Sequence, residues 1–303
     1  MNCEWMMFDF AVIGHIVIDN IMYKHGKQVH VMGPTGSVVL AATKLGKKVK
    51  LITKVGDDIP DYYVSWLKKH GINLEKMIVE GSRTTSVVID LRGEERDGYL
   101  EHLSAKIGPE DVNNLPDAVL VTPLTEEITW DALKNINGRV LGVDPQGFIR
   151  AHLRLGDGSI LLKRWVDEGI INRYSFFKCT EDELFSFSGY SNALAALEKI
   201  VGLGPEVAVA TQGGDGAIMV TNQCKRFMVP VYPIEKRDDM GAGDCFTTGF
   251  FCEYLEGREP LWCAAMGSAL ASCVLETVGP RIDASLDEIR ERAESVYDRI
   301  TQI

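Results

Sequence analysis

The residues best suited to chemistry lie in the C-terminal third, where Met240-Gly241-Ala242-Gly243-Asp244 leads into the apolar run Cys245–Phe251. Small residues at the start of a predicted helix let backbone N–H groups approach a ligand, and the helix dipole adds positive potential. Such a segment suits a phosphate group. Asp244 would repel a static phosphate, but it is well placed to accept a proton from a hydroxyl that attacks a phosphoryl group. The pattern indicates phosphoryl transfer; an ordinary glycine-rich helix start is the alternative interpretation.

Polar residues also follow another predicted strand. Asp144-Pro145-Gln146-Gly147-Phe148-Ile149-Arg150 comes directly after the apolar run Val140–Val143. Open α/β sheets bind ligands outside the carboxyl ends of their strands, so these groups are candidates for a binding crevice. Arg150 could pair with a phosphate or an acidic substrate group, and it could equally brace Asp144.

Alternating strands and helices must position these residues. The apolar run Phe8–Ile13 predicts a strand buried on both faces, and helical patterns alternate with such runs along most of the chain. This alternation predicts a mostly parallel central sheet with helices on both faces. Two β-only excursions, roughly 17–32 and 83–104, interrupt it. We expect them to pair into a small β-sheet lid on a single domain spanning 1–303.

Several longer segments have a helical pattern. One runs from Ser37 to Leu45 and ends at Gly46. The C-terminal part is predicted to be helical over Ala242–Leu255, Leu261–Leu275 and Leu286–Ile303.

Composition excludes some classes of partner. The 303 residues include 32 basic and 43 acidic side chains, for a formal net charge of −11. Nucleic-acid and anionic-membrane binders need a basic face, so neither partner is expected. A spanning helix needs about 20 apolar residues, more than Leu261–Leu275 supplies. Seven cysteines without a C-x-x-C pair indicate reduced thiols and predict a cytoplasmic protein.

In order and spacing, these motifs resemble the pfkB (ribokinase-like) family of carbohydrate and nucleoside kinases. The family signature D-T-x-G-A-G-D is matched by 238–244, except that Asp239 stands where Thr is usual. The resemblance implies that Asp244 is the catalytic base. It also implies that the amides of Gly241, Ala242 and Gly243 form the anion hole for the transferred phosphoryl group.

The resemblance also implies an acceptor site. Asp19 has the spacing of a family Asp that binds substrate hydroxyls, although it could be a plain turn carboxylate. The family's Gly-Gly-x-x-x-Asn is here Met32-Gly33-Pro34-Thr35-Gly36-Ser37, which retains Gly33 but has Ser37 in place of Asn. A hydroxyl cannot bridge two substrate hydroxyls as an amide can, so the chain departs from the family most where it meets the acceptor. Arg150 is a further substrate-binding candidate.

On the nucleotide side, Lys178-Cys179-Thr180-Glu181-Asp182-Glu183 occupies the place of the family's Asn-x-x-Glu motif. Lys178 and Thr180 are thereby implied to bind the nucleotide, and Glu183 to organise Mg²⁺ through water. An acidic helix start is the alternative interpretation. The segment 210–217 resembles the family's T-x-G-x-x-G loop, with Thr211, Gly213 and Gly216 as cofactor-binding candidates, although alone it could be a hairpin turn.

The implied fold is a ribokinase-like three-layer α/β/α domain with a mostly parallel central sheet and a small β-sheet lid. The implied reaction transfers the γ-phosphoryl group of ATP, with Mg²⁺, to a hydroxyl of a sugar or polyol. D-x-Q-G-x-x-R segments occur in relatives that include inositol kinases, which suggests a cyclitol such as myo-inositol. A nucleoside kinase of the same fold is the alternative enzyme, and an inactive sugar- or nucleotide-binding regulator is the alternative of another class.

Other nucleotide-binding classes lack support. The chain has no G-x-x-x-x-G-K-[ST] motif, and no G-x-G-x-x-G follows the first strand. A monovalent cation near Asp238 and Gly279, as some relatives bind, stays open. Because an exposed β edge invites pairing, we also expect a homodimer through the lid.

Overall fold

A computed structural model describes residues 8–74, 77–92, 97–149, 152–153, 160–161, 168–238 and 240–303. The strands, numbered in chain order, are β1 Phe10–Ile13, β2 Val17–Tyr23, β3 Gly26–Met32, β4 Val49–Ile52, β5 Val55–Gly56, β6 Ile78–Val79, β7 Ser86–Asp90, β8 Asp97–His102, β9 Ala118–Val121, β10 Val140–Val143, β11 His152–Leu153, β12 Ile160–Leu161, β13 Phe176–Thr180, β14 Val207–Thr211, β15 Ala217–Thr221, β16 Arg226–Val229 and β17 Thr301–Gln302. The helices are α1 Gly33–Lys44, α2 Asp61–Lys69, α3 Trp130–Asn135, α4 Gln146–Ile149, α5 Glu168–Ile171, α6 Glu181–Ser188, α7 Ala193–Gly202, α8 Ala242–Leu255, α9 Pro260–Leu275 and α10 Leu286–Tyr297.

The central sheet has nine strands in the order β17-β16-β15-β14-β13-β10-β9-β1-β4. The strands from β14 to β4 pair in parallel, whereas β15, β16 and β17 add antiparallel strands at one edge. Parallel pairing brings the carboxyl ends of β10, β13 and β14 to one edge of the sheet. That edge is where an open α/β sheet binds its ligands.

Helices cover both faces of this sheet. Side chains of a strand alternate between faces. Accordingly, Phe10 and Val12 join one buried apolar cluster, with side chains of α1, α8 and α9, while Ala11 and Ile13 join another, with side chains of α3, α6 and α7. These are the three layers that the alternating sequence pattern predicts.

The two β-only excursions pair into one small sheet in the order β3-β2-β7-β8. Strand β2 runs antiparallel to β3 and parallel to β7, so segments far apart in sequence lie side by side. The small sheet has its own apolar cluster, formed by Val17, Ile21, Val87, Ile89 and Leu100. It is therefore a separate layer beside the main core, as the sequence predicts.

His15 connects the small sheet to the central one. It lies between β1 and β2, and its ring contacts the Thr85 hydroxyl at 2.7 Å and the Ala105 carbonyl oxygen at 3.1 Å. Burial lowers the pKa of His15 to about 4, so the ring is neutral at pH 7. Its Nε2–H then donates to Ala105, and Nδ1 accepts from Thr85. The segments that enter β7 and leave β8 are thus held beside the end of β1.

Two predicted helix boundaries were wrong. Helix α1 begins at Gly33 rather than Ser37, because Pro34 and the following residues continue the helix from its first turn. Helix α10 ends at Tyr297, and Thr301–Gln302 pairs instead with β16 as an edge strand. Among the described residues, no helix is long and apolar enough to cross a membrane.

Helices α8 and α9 approach each other at two glycines. A Cβ atom on Gly249 would lie 2.8 Å from the Met266 carbonyl oxygen, and one on Gly267 would lie 2.8 Å from the Phe246 carbonyl oxygen. Real Cβ atoms do not come this close to backbone oxygens, so the two helices pack backbone to backbone. This contact fixes α8, and with it the segment that leads into α8.

We expect Gly267→Ala to lower the free energy of unfolding by about 1–3 kcal/mol, because the added methyl group must push α8 and α9 apart. The matched control is Gly202→Ala at the end of α7, where a Cβ atom would meet nothing within 4 Å. That change should be neutral or stabilise by about 0.4–1 kcal/mol. Urea unfolding followed by circular dichroism measures both, and equal effects at the two sites would contradict the packing argument.

Candidate active site

A cavity of about 300 Å³ lies where the central sheet, the small sheet and α8 meet. Strands β10 and β13 contribute from their carboxyl ends, and Val87 and Ile89 contribute from the small sheet. Residues predicted from the sequence that line it are Asp19, Gly33, Ser37, Lys178, Thr180, Glu183, Gly241, Ala242, Gly243 and Asp244. The acceptor-side and phosphoryl-side candidates therefore share one cavity.

The segment 241–244 forms the first turn of α8. Gly241 caps the helix with φ 78°, a left-handed conformation that favours glycine. A Cβ atom on Gly243 would lie 2.9 Å from Lys178 Nζ, so this backbone sits directly against a buried ammonium group. First-turn N–H groups have no acceptor within a helix, and together with the helix dipole and the Lys178 charge they favour an anion.

Asp19 and the start of α1 form one side of the cavity. The carboxylate of Asp19 is buried and accepts a hydrogen bond of 3.2 Å from the Gly33 amide. Gly33 has φ 62°, and a Cβ atom there would clash with Val17. The Ser37 hydroxyl donates to the Gly33 carbonyl oxygen at 2.9 Å. Since that donor is used within the helix, Ser37 offers a ligand mainly an acceptor oxygen.

An ion pair lies under the glycine segment. Lys178 Nζ is 2.8 Å from Asp144 Oδ2, and the side chains are only 3% and 1% exposed. The Thr247 hydroxyl lies 3.3 Å from Asp144 Oδ2 and 3.0 Å from the Gly243 carbonyl oxygen, so its one proton is shared between two acceptors. Burial alone would lower the pKa of Lys178, but the nearby carboxylates of Asp144, Glu183 and Asp244 raise it above its usual value. Lys178 is therefore charged at neutral pH.

Gln146 connects this ion pair to the candidate base. Its backbone N–H donates to Asp144 Oδ1 at 3.3 Å, and its side-chain Nε2 donates to Asp244 Oδ1 at 3.2 Å. Gln146 is buried and lines the cavity. Arg150, the substrate-binding candidate in the same segment, lies outside the described residues.

Thr180 and Glu183 form a capping box at the start of α6. The Glu183 amide donates to Thr180 Oγ1 at 3.3 Å, and the Thr180 amide donates to Glu183 Oε2 at 2.9 Å. Glu183 is 2% exposed yet lines the cavity, so its carboxylate is held in place by its own helix. An oriented carboxylate oxygen is a ligand type that suits hydrated Mg²⁺.

A second cavity, of about 840 Å³, lies on the other side of the glycine segment. The two cavities share Thr180, Ala242 and Gly243. The second is also lined by the predicted residues Thr211, Gly213 and Gly216 and by the apolar side chains Ala217, Val229, Val231, Ile234, Phe246, Ala271 and Leu275. Gly216 has φ 93°, and a Cβ atom there would lie 2.2 Å from the Val229 carbonyl oxygen. The glycine allows this loop to pack against β16.

The monovalent-cation option concerns Asp238 and Gly279. The Asp238 carboxylate accepts from the Met240 amide at 3.1 Å and from the Gly279 amide at 2.9 Å. These bonds join the segment before α8 to the one after α9. Within the described part of the chain, no group of three or more His, Cys, Asp or Glu side chains could hold a metal ion.

The sequence analysis missed two functional contacts. It named Arg150 as a possible partner of Asp144 but did not name Lys178, which pairs with Asp144 from a strand 34 residues away. It singled out the segment of Gln146 but did not connect Gln146 with Asp244, 98 residues away. The available signal was topological, since β10 and β13 are neighbours whose carboxyl ends must meet.

Two cavities that meet at a glycine-rich helix start beside a carboxylate define a phosphotransferase site of an α/β protein. A family model described as pfkB family carbohydrate kinase matches residues 7–115 and 156–287. The chain belongs to the pfkB family of carbohydrate kinases. It is therefore a phosphotransferase with an alcohol group as acceptor.

Similar proteins include kinases with different acceptors. A cytidine kinase of Thermococcus kodakarensis is 24% identical over 290 residues, 90% of this chain and 98% of that protein. A deoxyribokinase of Salmonella typhimurium is 25% identical over 311 residues, 93% of this chain and 97% of that protein. A solved pyrophosphate-dependent kinase in the ribokinase family, complexed with a pyrophosphate analog and myo-inositol, has a TM-score of 0.74 at 22% identity. The structural match covers 94% of this chain and 99% of that chain. The ribokinase-like fold is thereby confirmed.

We expect Lys178→Met to destabilise the protein by about 3–5 kcal/mol at pH 8, since Asp144 stays buried without that cation. Burial would then raise the pKa of Asp144, so the folded state would bind a proton more tightly than the unfolded one. Stability would therefore fall as pH rises, and the loss should be smaller at pH 5. The double variant Lys178→Met/Asp144→Asn should recover part of it. Urea unfolding at both pH values is the measurement, and an unchanged midpoint for Lys178→Met would contradict the role of the pair.

Proposed function

We propose that this protein is an ATP-dependent kinase that transfers the γ-phosphoryl group to a hydroxyl of a neutral sugar or polyol, a cyclitol such as myo-inositol among the candidates. One observation carries the proposal: a small polar cavity and a larger apolar one meet at Gly241–Asp244. The acceptor occupies the small cavity and the nucleotide the large one. Phosphoryl transfer then takes place across the start of α8.

The charges in the small cavity favour a neutral acceptor. The described lining residues include four carboxylates, Asp19, Asp144, Glu183 and Asp244, and one cation, Lys178, which is paired with Asp144. A phosphate or carboxylate group on the acceptor would lie close to these acids, and the predicted substrate-binding residue Arg150 lies outside the described residues. Hydroxyl groups can instead donate to Asp19 and bond to Ser37, as a polyol requires.

The large cavity favours a nucleotide over pyrophosphate as donor. Its apolar side chains, among them Val229, Phe246 and Leu275, suit a nucleobase and ribose, whereas pyrophosphate has no apolar part to bury. The solved relative with myo-inositol uses pyrophosphate, so the acceptor and the donor are separate questions for this chain. The size and apolar lining of this cavity are the basis for choosing a nucleotide as donor.

The chain's own groups account for the chemistry. Asp244 accepts the proton of the acceptor hydroxyl as its oxygen attacks the phosphorus atom. The first-turn amides at 241–243, with Lys178 behind them, stabilise charge on the transferred phosphoryl group. Glu183 would help to hold Mg²⁺ through water, and the ion would supply positive charge to the phosphates of ATP. Val87 and Ile89 of the small sheet lie over the acceptor side and exclude water, which acts against hydrolysis of ATP.

A nucleoside acceptor is the second candidate, because the similar cytidine kinase covers 90% of this chain. The apolar part of the small cavity is formed by Met32, Val87, Ile89, Leu124 and Met240, and its described lining has no aromatic side chain on which a base could stack.

An inactive regulator is disfavoured, since a pure binding protein gains nothing from a carboxylate at Asp244 beside phosphate. A homodimer through the small sheet and a cytoplasmic location stay predictions.

Asp244→Asn should lower kcat by about 10²–10⁴-fold, the usual range for loss of a general base. The affinity for ATP should change little or rise, since Asn removes a negative charge close to the γ-phosphate. Asp19→Asn should instead act mainly through the acceptor KM. Steady-state kinetics with a coupled ADP assay measure both, and an Asp244→Asn enzyme within about threefold of wild type would show that Asp244 is not the base.

A screen of acceptors and donors tests the substrate class. Acceptors are inositol, pentoses, hexoses, nucleosides, fructose 6-phosphate and a sugar acid, each with ATP or pyrophosphate, and product is detected by ³¹P NMR. We expect neutral polyols or sugars with ATP to give the highest kcat/KM. Preference for a phosphorylated or acidic acceptor would contradict the charge argument, and preference for pyrophosphate would contradict the donor assignment.

A further inference from the structure

Gln146 joins the ion pair to the candidate base, because its backbone N–H donates to Asp144 and its side chain donates to Asp244. Its Nε2 donates to Asp244 Oδ1 at 3.2 Å. A carboxylate only accepts, so the amide must present its nitrogen rather than its oxygen on this side. We propose that Gln146 is a positioning residue that fixes the orientation of the Asp244 carboxylate toward the acceptor hydroxyl. This rests on the proposed role of Asp244 as the base.

The backbone of Gln146 is held on both sides. Asp144 donates from its amide to the Val121 carbonyl oxygen at 3.0 Å, and Gly147 donates to the Pro123 carbonyl oxygen at 3.1 Å. A Cβ atom on Gly147 would lie 2.5 Å from the Thr125 carbonyl oxygen, so this segment rests directly on 123–125. The Cα and Cβ atoms of Gln146 therefore have little freedom to move. The rest of the side chain is buried and is held by its bond to Asp244.

The charged network fixes the same segment from below. Lys178 and Thr247 hold Asp144 Oδ2, and Asp144 Oδ1 accepts from the Gln146 amide. A continuous series of bonds thus runs from Lys178 through Asp144 and Gln146 to Asp244. These bonds fix the position of Asp244, on α8, relative to Lys178, on β13.

A neutral donor suits this position. A Lys or Arg side chain hydrogen-bonded to Asp244 would lower the pKa of the base and weaken it. Among the described groups, Lys178 interacts electrostatically with Asp244 and supplies positive charge, and Asp19, Asp144 and Glu183 line the same cavity. An amide donor orients the carboxylate and lowers its pKa less than a cation would. Asp244 then keeps the proton affinity that a base needs. Its carboxylate is also held in line with the acceptor hydroxyl instead of rotating freely.

The test combines Gln146→Met, which keeps volume but removes the donor, with Gln146→Glu, which keeps shape. We expect Gln146→Met to lower kcat by about 10-fold, with the KM values for acceptor and ATP within about twofold. The acid limb of its kcat–pH profile should move to higher pH, because a carboxylate that loses a donor is easier to protonate.

Gln146→Glu should add an alkaline limb to the profile. At lower pH the carboxyl group introduced at position 146 is protonated and can still donate to the Asp244 carboxylate, so the enzyme stays active. Loss of that proton at higher pH places two carboxylates side by side, which disorients the base. A bell-shaped kcat profile in this variant, absent from wild type, is the signature of the positioning role. Circular dichroism and urea unfolding confirm that both variants are folded.

The matched control is Gln212→Met. Gln212 Nε2 also donates to a carboxylate, Glu181 Oε1 at 2.8 Å, but in the large cavity. Its replacement should leave the shape of the kcat–pH profile unchanged, even if the KM for ATP rises.

Three results would overturn the inference. One is an unchanged pH profile in both Gln146 variants, and another is a profile that moves equally in Gln212→Met. The third is an increase confined to the acceptor KM, which would make Gln146 a binding group. Failure of the base assignment looks different, because Asp244→Asn would then keep its activity whatever the Gln146 variants do.

Discussion

The buried ion pair between Lys178 and Asp144 is the interaction on which the rest of the site depends. It joins the carboxyl ends of β10 and β13, and Thr247 of α8 is bonded to it as well. Two charges in a buried place are tolerated only when they satisfy each other and their remaining bonds. The pair therefore depends on three features. Strand β10 must lie next to β13, α8 must bring Thr247 to Asp144, and residue 243 must lack a side chain that would meet Lys178.

Different elements form the phosphoryl side and the acceptor side of the proposed site. Helix α8 is fixed against α9 by Gly249 and Gly267, and its start supplies the phosphoryl-side groups. The acceptor side is built from different elements, namely the start of α1 and strands β2 and β7 of the small sheet. Under the proposed function, phosphoryl transfer depends on the start of α8, and acceptor recognition depends on the start of α1 and on the small sheet.

The sequence predicted the features that local pattern determines. Glycines before an apolar run located the start of α8, and both ends of that helix agree with the prediction. The β-only composition of two segments predicted the small sheet. In contrast, no local pattern distinguishes a Lys178 paired with Asp144 from one exposed to solvent, because the pairing arises when β10 and β13 become neighbours. Gln146 and Asp244 likewise meet only in the fold. The start of α1 was misplaced because Gly33 and Pro34 usually mark a turn, although Pro is favourable in a first helical turn.

The separate apolar cluster of the small sheet has an evolutionary consequence. Val87 and Ile89 belong to that cluster and also line the acceptor cavity. Substitutions at distant, independently packed sites add their effects with little coupling. Mutations in the small sheet can therefore accumulate and alter acceptor choice without lowering the stability of the main core. Kinases with different acceptors can thus share one phosphoryl-transfer segment at the start of α8.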